Sequence, residues 1–297
     1  MRIAITGSSG LIGNALVRSL EADGHAAVRV VRSGGGKSTV RWDIDRGEID
    51  AAGLEALDGV VHLAGEGIAE KRWTDEQKRK IVESRTKGTA LLANTVATLS
   101  DKPPVLVSGS AIGVYGNRGD EQLTEASVPG SGFLTDVVVA WEAAAGPAEA
   151  AGIRVPKIRT GIVLDKDGGV LERLAGLARF GVLGKIGSGQ QWMSWISLAD
   201  QVGAIRFLLD HDVAGPVNLT APAPVTNAVF TKALGRVLKR PTFLPVPNFG
   251  PRLVVGSELA QALLFDGQRV LPEVLLDAGY EFRYADLETA LRDILQR

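Results

Sequence analysis

The chain has 297 residues, with 33 Lys and Arg against 34 Asp and Glu, so its formal net charge at pH 7 is −1. This balance gives no general attraction for phosphate backbones or acidic lipid surfaces, and we expect neither nucleic acid nor a membrane as partner. The absence of cysteine excludes disulfides and thiol chemistry, and the three histidines have no metal-ligand spacing. We therefore expect no metal, although the sequence does not exclude a magnesium site built from carboxylates alone.

The first half of the chain alternates short apolar runs with helical patterns. Strands are predicted at 3–5, 26–31, 59–63, 105–107 and 153–158, and helices at 11–20, 75–99 and 133–150. Such alternation predicts an α/β fold of the Rossmann type, which is a doubly wound parallel sheet covered by helices on both faces.

The second half of the chain has a different pattern. A short helix is predicted within the glycine-rich segment 168–189, a helix at 197–209 with Ser197 as N-cap, and a strand at 217–219. Proline-punctuated helical patterns follow near 226–238, 252–265 and 284–295. We predict a sheet domain of residues 1–165, to which 191–220 return, and a smaller, mostly helical substrate lobe of 166–190 and 221–297.

The strongest local motif lies between the first strand and the first helix. Gly7 permits a tight turn, Gly10 lets a pyrophosphate approach the backbone, and Gly13 lets helix and strand pack closely. The N-terminus of the helix then offers free N–H groups to the phosphates. The alternative is a glycine-rich turn that binds nothing. The cofactor-binding residues predicted here are Gly7, Ser9, Gly10, Leu11, Ile12 and Gly13.

The end of the second strand predicts which dinucleotide binds. A site for NAD usually carries Asp or Glu at this point, whereas this chain has Arg32, whose guanidinium suits the 2′-phosphate of NADP. We therefore expect NADP as cofactor, with a solvated surface arginine as the alternative. Asp43 is a candidate for binding the adenine amino group, or a simple surface carboxylate.

These motifs together resemble the extended (atypical) short-chain dehydrogenase/reductase superfamily. The matching segments are Thr6–Gly13, Leu63-Ala64-Gly65, Ser108-Gly109-Ser110 with Val114-Tyr115-Gly116, and Gly187-Ser188-Gly189 with Trp195-Ile196 and Asp200. More narrowly, the chain is similar to the epimerase-like branch known as nucleoside-diphosphate-sugar epimerases. The marks of that branch are Arg72-Trp73-Thr74, Glu83-Ser84-Arg85 with Gly88-Thr89, Arg159–Leu164, and the C-terminal tail segment Gly267–Pro272. The resemblance covers essentially the whole chain and implies that Leu63, Ala64, Gly65 and Arg159 belong to the cofactor site.

The chain departs from the superfamily at its catalytic pair. The superfamily exchanges a proton through a Tyr-x-x-x-Lys motif, and the two positions fall on Leu134 and Val138, which carry no proton to exchange. Ser110, Tyr115 and Arg85 are the catalytic candidates that the resemblance leaves. A capping serine, a packed aromatic and a structural arginine are their respective alternatives.

Several further residues are predicted to contact a substrate. Arginines suit phosphate or carboxylate groups and tryptophans suit sugars or bases, although large aromatics are more often packing residues. The predicted substrate-binding residues are Arg72, Trp73, Gln191 and Trp195, with Trp192 and Arg159 as further candidates and Glu66 as a general base or a plain loop carboxylate.

Two functions are consistent with these observations. The first is an NADP(H)-binding epimerase or reductase that acts on a hydroxyl or carbonyl of a small molecule, for which a nucleotide-sugar is one candidate. The second is a non-catalytic NADP(H)-binding sensor or regulatory module, which the missing Tyr and Lys favour. The amino terminus lacks the apolar stretch of a signal peptide and no run approaches the roughly 18–20 residues of a membrane span, so we expect a cytoplasmic protein. The sequence leaves a homodimer open.

Overall fold

The computed structural model describes residues 1–36, 38–179, 183–242, 246–247 and 249–296, without the side chain of Arg179. The strands are β1 (Arg2–Thr6), β2 (Ala26–Val31), β3 (Thr39–Asp43), β4 (Glu48–Ile49), β5 (Gly59–His62), β6 (Leu106–Ala111), β7 (Gln122–Leu123), β8 (Pro156–Thr160), β9 (Ile162–Asp165), β10 (Trp192–Met193), β11 (Trp195–Ser197), β12 (Gly215–Leu219), β13 (Val225–Thr226) and β14 (Arg269–Val270). The helices are α1 (Leu11–Ala22), α2 (Asp75–Thr98), α3 (Phe133–Ala143), α4 (Gly146–Ala150), α5 (Gly169–Arg179), α6 (Leu198–Asp210), α7 (Asn227–Leu238), α8 (Phe249–Val255), α9 (Ser257–Ala260), α10 (Glu273–Asp277) and α11 (Leu287–Ile294).

Eight of the strands form one sheet, and its strand order confirms the predicted doubly wound fold. The order is β12-β8-β6-β5-β1-β2-β3-β4, and every neighbouring pair is parallel except β3 with β4. The chain winds outward from β1 in one direction through β2 and in the other through β5. Between the carboxyl ends of β1 and β5 the order reverses, and this is the place where such sheets bind ligands.

The central strand β1 is buried because both faces of the sheet are covered. Ile3 and Ile5 pack with α1 and α6 on one face, whereas Ala4 packs with α2 on the other. This is the alternation that a pleated strand imposes on its side chains. All three residues are fully buried, so β1 is a rigid support for the loop that follows it.

Two predicted helices are each interrupted in the structure. The prediction of one helix over 133–150 was wrong, because the sequence continues as α3 and then α4, with Pro147 in the first turn of α4. The prediction over 252–265 was wrong in the same way. Gly256 adopts a φ of +94° between α8 and α9, which a helix interior does not tolerate.

A separate apolar cluster lies in the second half of the chain. It joins α5, α7 and α11 through buried residues that include Phe230, Leu234 and Leu291. The predicted division into a sheet domain and a substrate lobe stays a prediction. Within the part of the chain described above, no helix has the length and apolarity that crossing a membrane requires.

Candidate functional site

The glycine motif forms an open cradle at the carboxyl end of β1. Gly7 has a φ of +66°, and a Cβ atom on Gly13 would lie 2.2 Å from the carbonyl oxygen of Gly7. A Cβ on Gly10 would meet only that same oxygen, at 3.4 Å, so the space above Gly10 is free. Gly10 is also the N-cap of α1, where no side chain caps the helix and no acidic residue lies in the first turn. These features fit the pyrophosphate of a dinucleotide.

The remaining cradle residues lie around this opening. Ser9 is exposed, and Leu11 and Ile12 are half-buried at the start of α1. On the opposite side, the backbone amides of Leu63 and Ala64 donate to Thr6 Oγ1 at 3.0 and 3.1 Å. This contact fixes the segment after β5 against β1, so the predicted flanking residues do lie beside the cradle.

The buried imidazole of His62 contacts Thr6, the residue that precedes the cradle. Thr6 Oγ1 already accepts two amides, so its hydroxyl hydrogen is donated to Nδ1 of His62 at 2.7 Å. The proton of the neutral ring is therefore on Nε2, which donates to Thr89 Oγ1 at 2.9 Å. Burial lowers the pKa of His62 to about 4, so the ring is neutral at physiological pH. Sequence reasoning missed this residue, because an isolated histidine at the end of a strand carries no motif.

The two residues predicted to bind the adenosine half of the dinucleotide have different surroundings. Arg32 is exposed directly after β2, on the side of the sheet where the cradle opens. Asp43 ends β3, and its Oδ1 accepts the backbone amides of Asp45 and Arg46 at 3.1 and 3.0 Å. The Asp43 carboxylate therefore stabilises a turn, so fewer of its acceptor positions are available to an adenine amino group.

A cavity lies beside the position of the missing tyrosine, and we call it the Leu134 cavity. Its volume is about 310 Å³, and it is lined by Trp73, Glu258 and residues from 113–116, 131–135 and 261–268. Leu134 lines it directly, whereas Val138 is buried. A Cβ on Gly113 would lie 3.4 Å from Cβ of Leu134, so a glycine faces the tyrosine position.

In the structure Ser110 has a buried partner, and its predicted catalytic role stays a prediction. Its hydroxyl donates to Glu142 Oε1 at 2.5 Å, only 4% of the residue is exposed, and it is not among the described residues that line the Leu134 cavity. Arg159 contacts the same glutamate, and its predicted cofactor role also stays a prediction. It binds both oxygens of Glu142, at 2.8 and 3.0 Å, and is buried, so it offers no exposed guanidinium to a cofactor or substrate.

Tyr115 likewise has buried partners, and its predicted catalytic role stays a prediction. The residue is fully buried, and its hydroxyl donates to Asn218 Oδ1 at 2.7 Å and accepts from Arg159 at 3.0 Å. Burial raises the pKa of the Tyr115 phenol above its ordinary value. This phenol therefore connects strands β8 and β12.

The third catalytic candidate, Arg85, lies next to the cradle. Its Nη1 donates to the backbone oxygens of Glu66 and Ile81 at 2.9 and 3.2 Å, and its guanidinium carbon lies 5.0 Å from the ring centre of Trp141. Burial lowers the pKa of Arg85 to about 10, so it remains a cation at neutral pH. A Cβ on Gly65 would lie 3.3 Å from this guanidinium, which places a fixed positive charge beside the loop after β5.

Among the predicted substrate residues, only Trp73 lines the Leu134 cavity. Trp195 is fully buried in the cluster of the second half, and its Nε1 donates to the backbone of Ala223, so its role in substrate binding stays a prediction. Gln191 donates to the backbone oxygens of Ile186 and Leu264 and so connects two segments of the protein.

Arg72, Trp192 and Glu66 also make hydrogen bonds within the protein. The Arg72 guanidinium donates to the carbonyls of Leu253 and Val254, Trp192 donates to Asp120, and Glu66 accepts from Gln77. Sequence reasoning missed Glu258 and Asp266, which line the cavity from the C-terminal tail. No motif singled them out, because their relation to Leu134 exists only in the folded chain.

Comparison with known proteins agrees with this geometry. Residues 3–220 match the NAD dependent epimerase/dehydratase family, and residues 246–294 match a domain of unknown function, DUF1731. An epimerase family protein of Mycobacterium tuberculosis is 43% identical over 291 residues, which cover 97% of this chain and 96% of that protein.

Two solved structures resemble the whole chain. The human epimerase family protein SDR39U1 (isoform 2), crystallised with NADPH, superimposes with a TM-score of 0.92 at 32% identity and covers 100% of this chain and 99% of its own. A nucleoside-diphosphate sugar epimerase from Corynebacterium glutamicum has a TM-score of 0.82 at 37% identity, over 99% of this chain and 58% of its own. The predicted resemblance to epimerase-like short-chain dehydrogenases is confirmed, and so is a nicotinamide dinucleotide as the cofactor of the family. This chain belongs to the NAD dependent epimerase/dehydratase family.

Proposed function

We propose that this protein binds NADP(H) in the cradle after β1 and acts on a hydroxyl or carbonyl of a small molecule held in the Leu134 cavity. The observation that carries the proposal is the uncapped start of α1 above an unobstructed Gly10. The human relative that was crystallised with NADPH supports the choice of cofactor. The bound dinucleotide supplies hydride chemistry, and the protein supplies binding and orientation.

Different residues of this chain bind the two halves of the dinucleotide. The glycine cradle holds the phosphates through backbone N–H groups, and exposed Arg32 binds the 2′-phosphate. Arg85 places its positive charge beside Gly65, where it stabilises negative charge on a bound group.

A second candidate function is a non-catalytic NADP(H)-binding module. Leu134 and Val138 stand at the Tyr and Lys positions, and neither can exchange a proton. The hydroxyls of Ser110 and Tyr115 donate to buried side chains within the protein, which supports this candidate. Under this candidate the protein senses the redox state of the dinucleotide and passes it to a partner without turnover.

One substitution distinguishes the two functions. Leu134→Trp fills the cavity and is expected to abolish turnover of carbonyl compounds with NADPH, while leaving NADPH affinity within about threefold. Turnover is followed by NADPH absorbance, and affinity by calorimetry. Val139→Trp is the control, because Val139 lies on the same helix and is exposed. Tight NADPH binding without turnover in the unmodified protein would leave the binding module as the function.

The dinucleotide preference has its own test. Arg32→Glu is expected to weaken NADPH by about 10- to 100-fold, since a charge-assisted contact contributes about 1.5–3 kcal/mol, and to change NADH affinity only about twofold. Calorimetric titration of both dinucleotides measures the difference. Arg240→Glu, an exposed arginine after α7, is the control. Equal losses for the two dinucleotides would refute a 2′-phosphate contact at Arg32.

A further inference from the structure

We infer that the Leu134 cavity accepts a neutral or positively charged hydroxylated small molecule, and not a nucleoside diphosphate sugar. This inference rests on the proposed function, which places the substrate there. Its first basis is the charge of the lining. Glu258 and Asp266 are the charged side chains among the described residues that line the cavity, and none of those residues is Lys, Arg or His.

The basic side chains near the cavity have other partners. Arg72 donates to backbone carbonyls at the end of α8, at 3.0 and 3.1 Å from that of Val254. Lys78 pairs with Glu258 at 2.6 Å, and Arg252 donates to Gln261 Oε1 at 3.1 Å. A diphosphate carries several negative charges, and burying them without cationic partners is strongly unfavourable.

The two carboxylates of the cavity are not equivalent. Lys78 neutralises Glu258 through the ion pair just described. Asp266 accepts a hydrogen bond from Gln261 Nε2 at 2.7 Å, which is a neutral donor and leaves the negative charge in place. An ammonium or hydroxyl group of a ligand therefore has its strongest acceptor at Asp266.

The rest of the wall suits a small hydroxylated ligand. Trp73 and Phe133 meet edge to face with ring centres 5.0 Å apart, which presents an apolar surface to the C–H groups of such a molecule. Ser131 and Gln268 add neutral hydrogen-bonding groups. The volume of about 310 Å³ lies at the lower end of the range for small-molecule sites, roughly 300–1,000 Å³.

Calorimetry with three compounds tests the inference, and each is titrated with and without saturating NADPH. Glucosamine is expected to bind at least about tenfold more tightly than UDP-glucose, with glucose between them. Asp266→Asn is expected to weaken glucosamine by about tenfold and to leave glucose within about twofold. Asp277→Asn removes an exposed carboxylate of α10 and is the control that should change neither.

The outcomes that overturn the inference are distinct from failure of the proposed function. UDP-glucose binding as tightly as glucosamine would refute it, and so would an absence of heat from glucosamine in both conditions. An unchanged glucosamine affinity in Asp266→Asn would refute the assigned acceptor. The proposed cofactor is tested separately, by whether the first titration with NADPH alone shows binding.

Discussion

At the scale of single residues, His62 carries a pH dependence that can be measured in solution. Burial lowers its pKa from 6.5 to about 4 in the folded protein. Between those values the unfolded chain binds more protons than the folded one, so stability is present above about pH 6.5 and is lost as the pH falls towards 4. The loss amounts to about 3 kcal/mol, at about 1.4 kcal/mol for each pH unit.

Urea unfolding across this pH window, in the unmodified protein and in His62→Asn, measures that contribution. The variant is expected to be less stable at neutral pH and to depend less on pH, because it has no imidazole to protonate. His211→Asn removes an exposed imidazole and serves as the control. Parallel pH profiles for the unmodified protein and His62→Asn would show that the buried ring does not cause the dependence.

At the scale of elements, α8 is held mainly by contacts that are not apolar. None of its residues is buried, and Leu253 and Val254 are 69% and 73% exposed. The Arg72 guanidinium binds the last carbonyls of this helix, where a cation also interacts favourably with the helix dipole. We therefore expect Arg72→Gln to raise amide hydrogen exchange in 249–260 by about tenfold, with a loss of global stability below about 1 kcal/mol.

Exchange measured by mass spectrometry, together with thermal unfolding, separates the local effect from the global one. Arg79→Gln, on the exposed side of α2, is the control for removal of a positive charge. If exchange in 249–260 is unchanged while the whole protein is destabilised, Arg72 supports the fold in general and does not hold α8.

At the scale of the whole molecule, the sequence predicted the features that repeat along the chain. Buried strands such as β1 and β5 follow from short apolar runs, and the cradle follows from glycine spacing next to a helix start. The breaks at Pro147 and Gly256 were also readable in principle, because both residues have local conformational preferences. The strands β3 and β4 at one end of the sheet were not predicted.

The surroundings of Ser110 and Tyr115 could not be predicted from the sequence for a different reason. Ser110 and Tyr115 were chosen from their place in a motif, but their direction depends on residues far along the chain. Tyr115 bonds to Asn218, 103 residues away, and Asn218 in turn donates to the carbonyl of Leu271 in the tail. Arg159 joins the same network from the neighbouring strand. Whether a polar side chain faces a ligand or a buried partner is decided by tertiary contacts, which periodicity does not encode.

The close approach of Gly13 to Gly7 means that the phosphate cradle exists before any ligand arrives. The first turn of α1 cannot move closer to β1 or take a side chain between them, so ligand capture requires little ordering of the backbone there. Helix α8 differs, because none of its residues is buried and polar contacts hold its end. The cradle is thus a preorganised anchor for phosphate groups, whereas α8 is the more adaptable element.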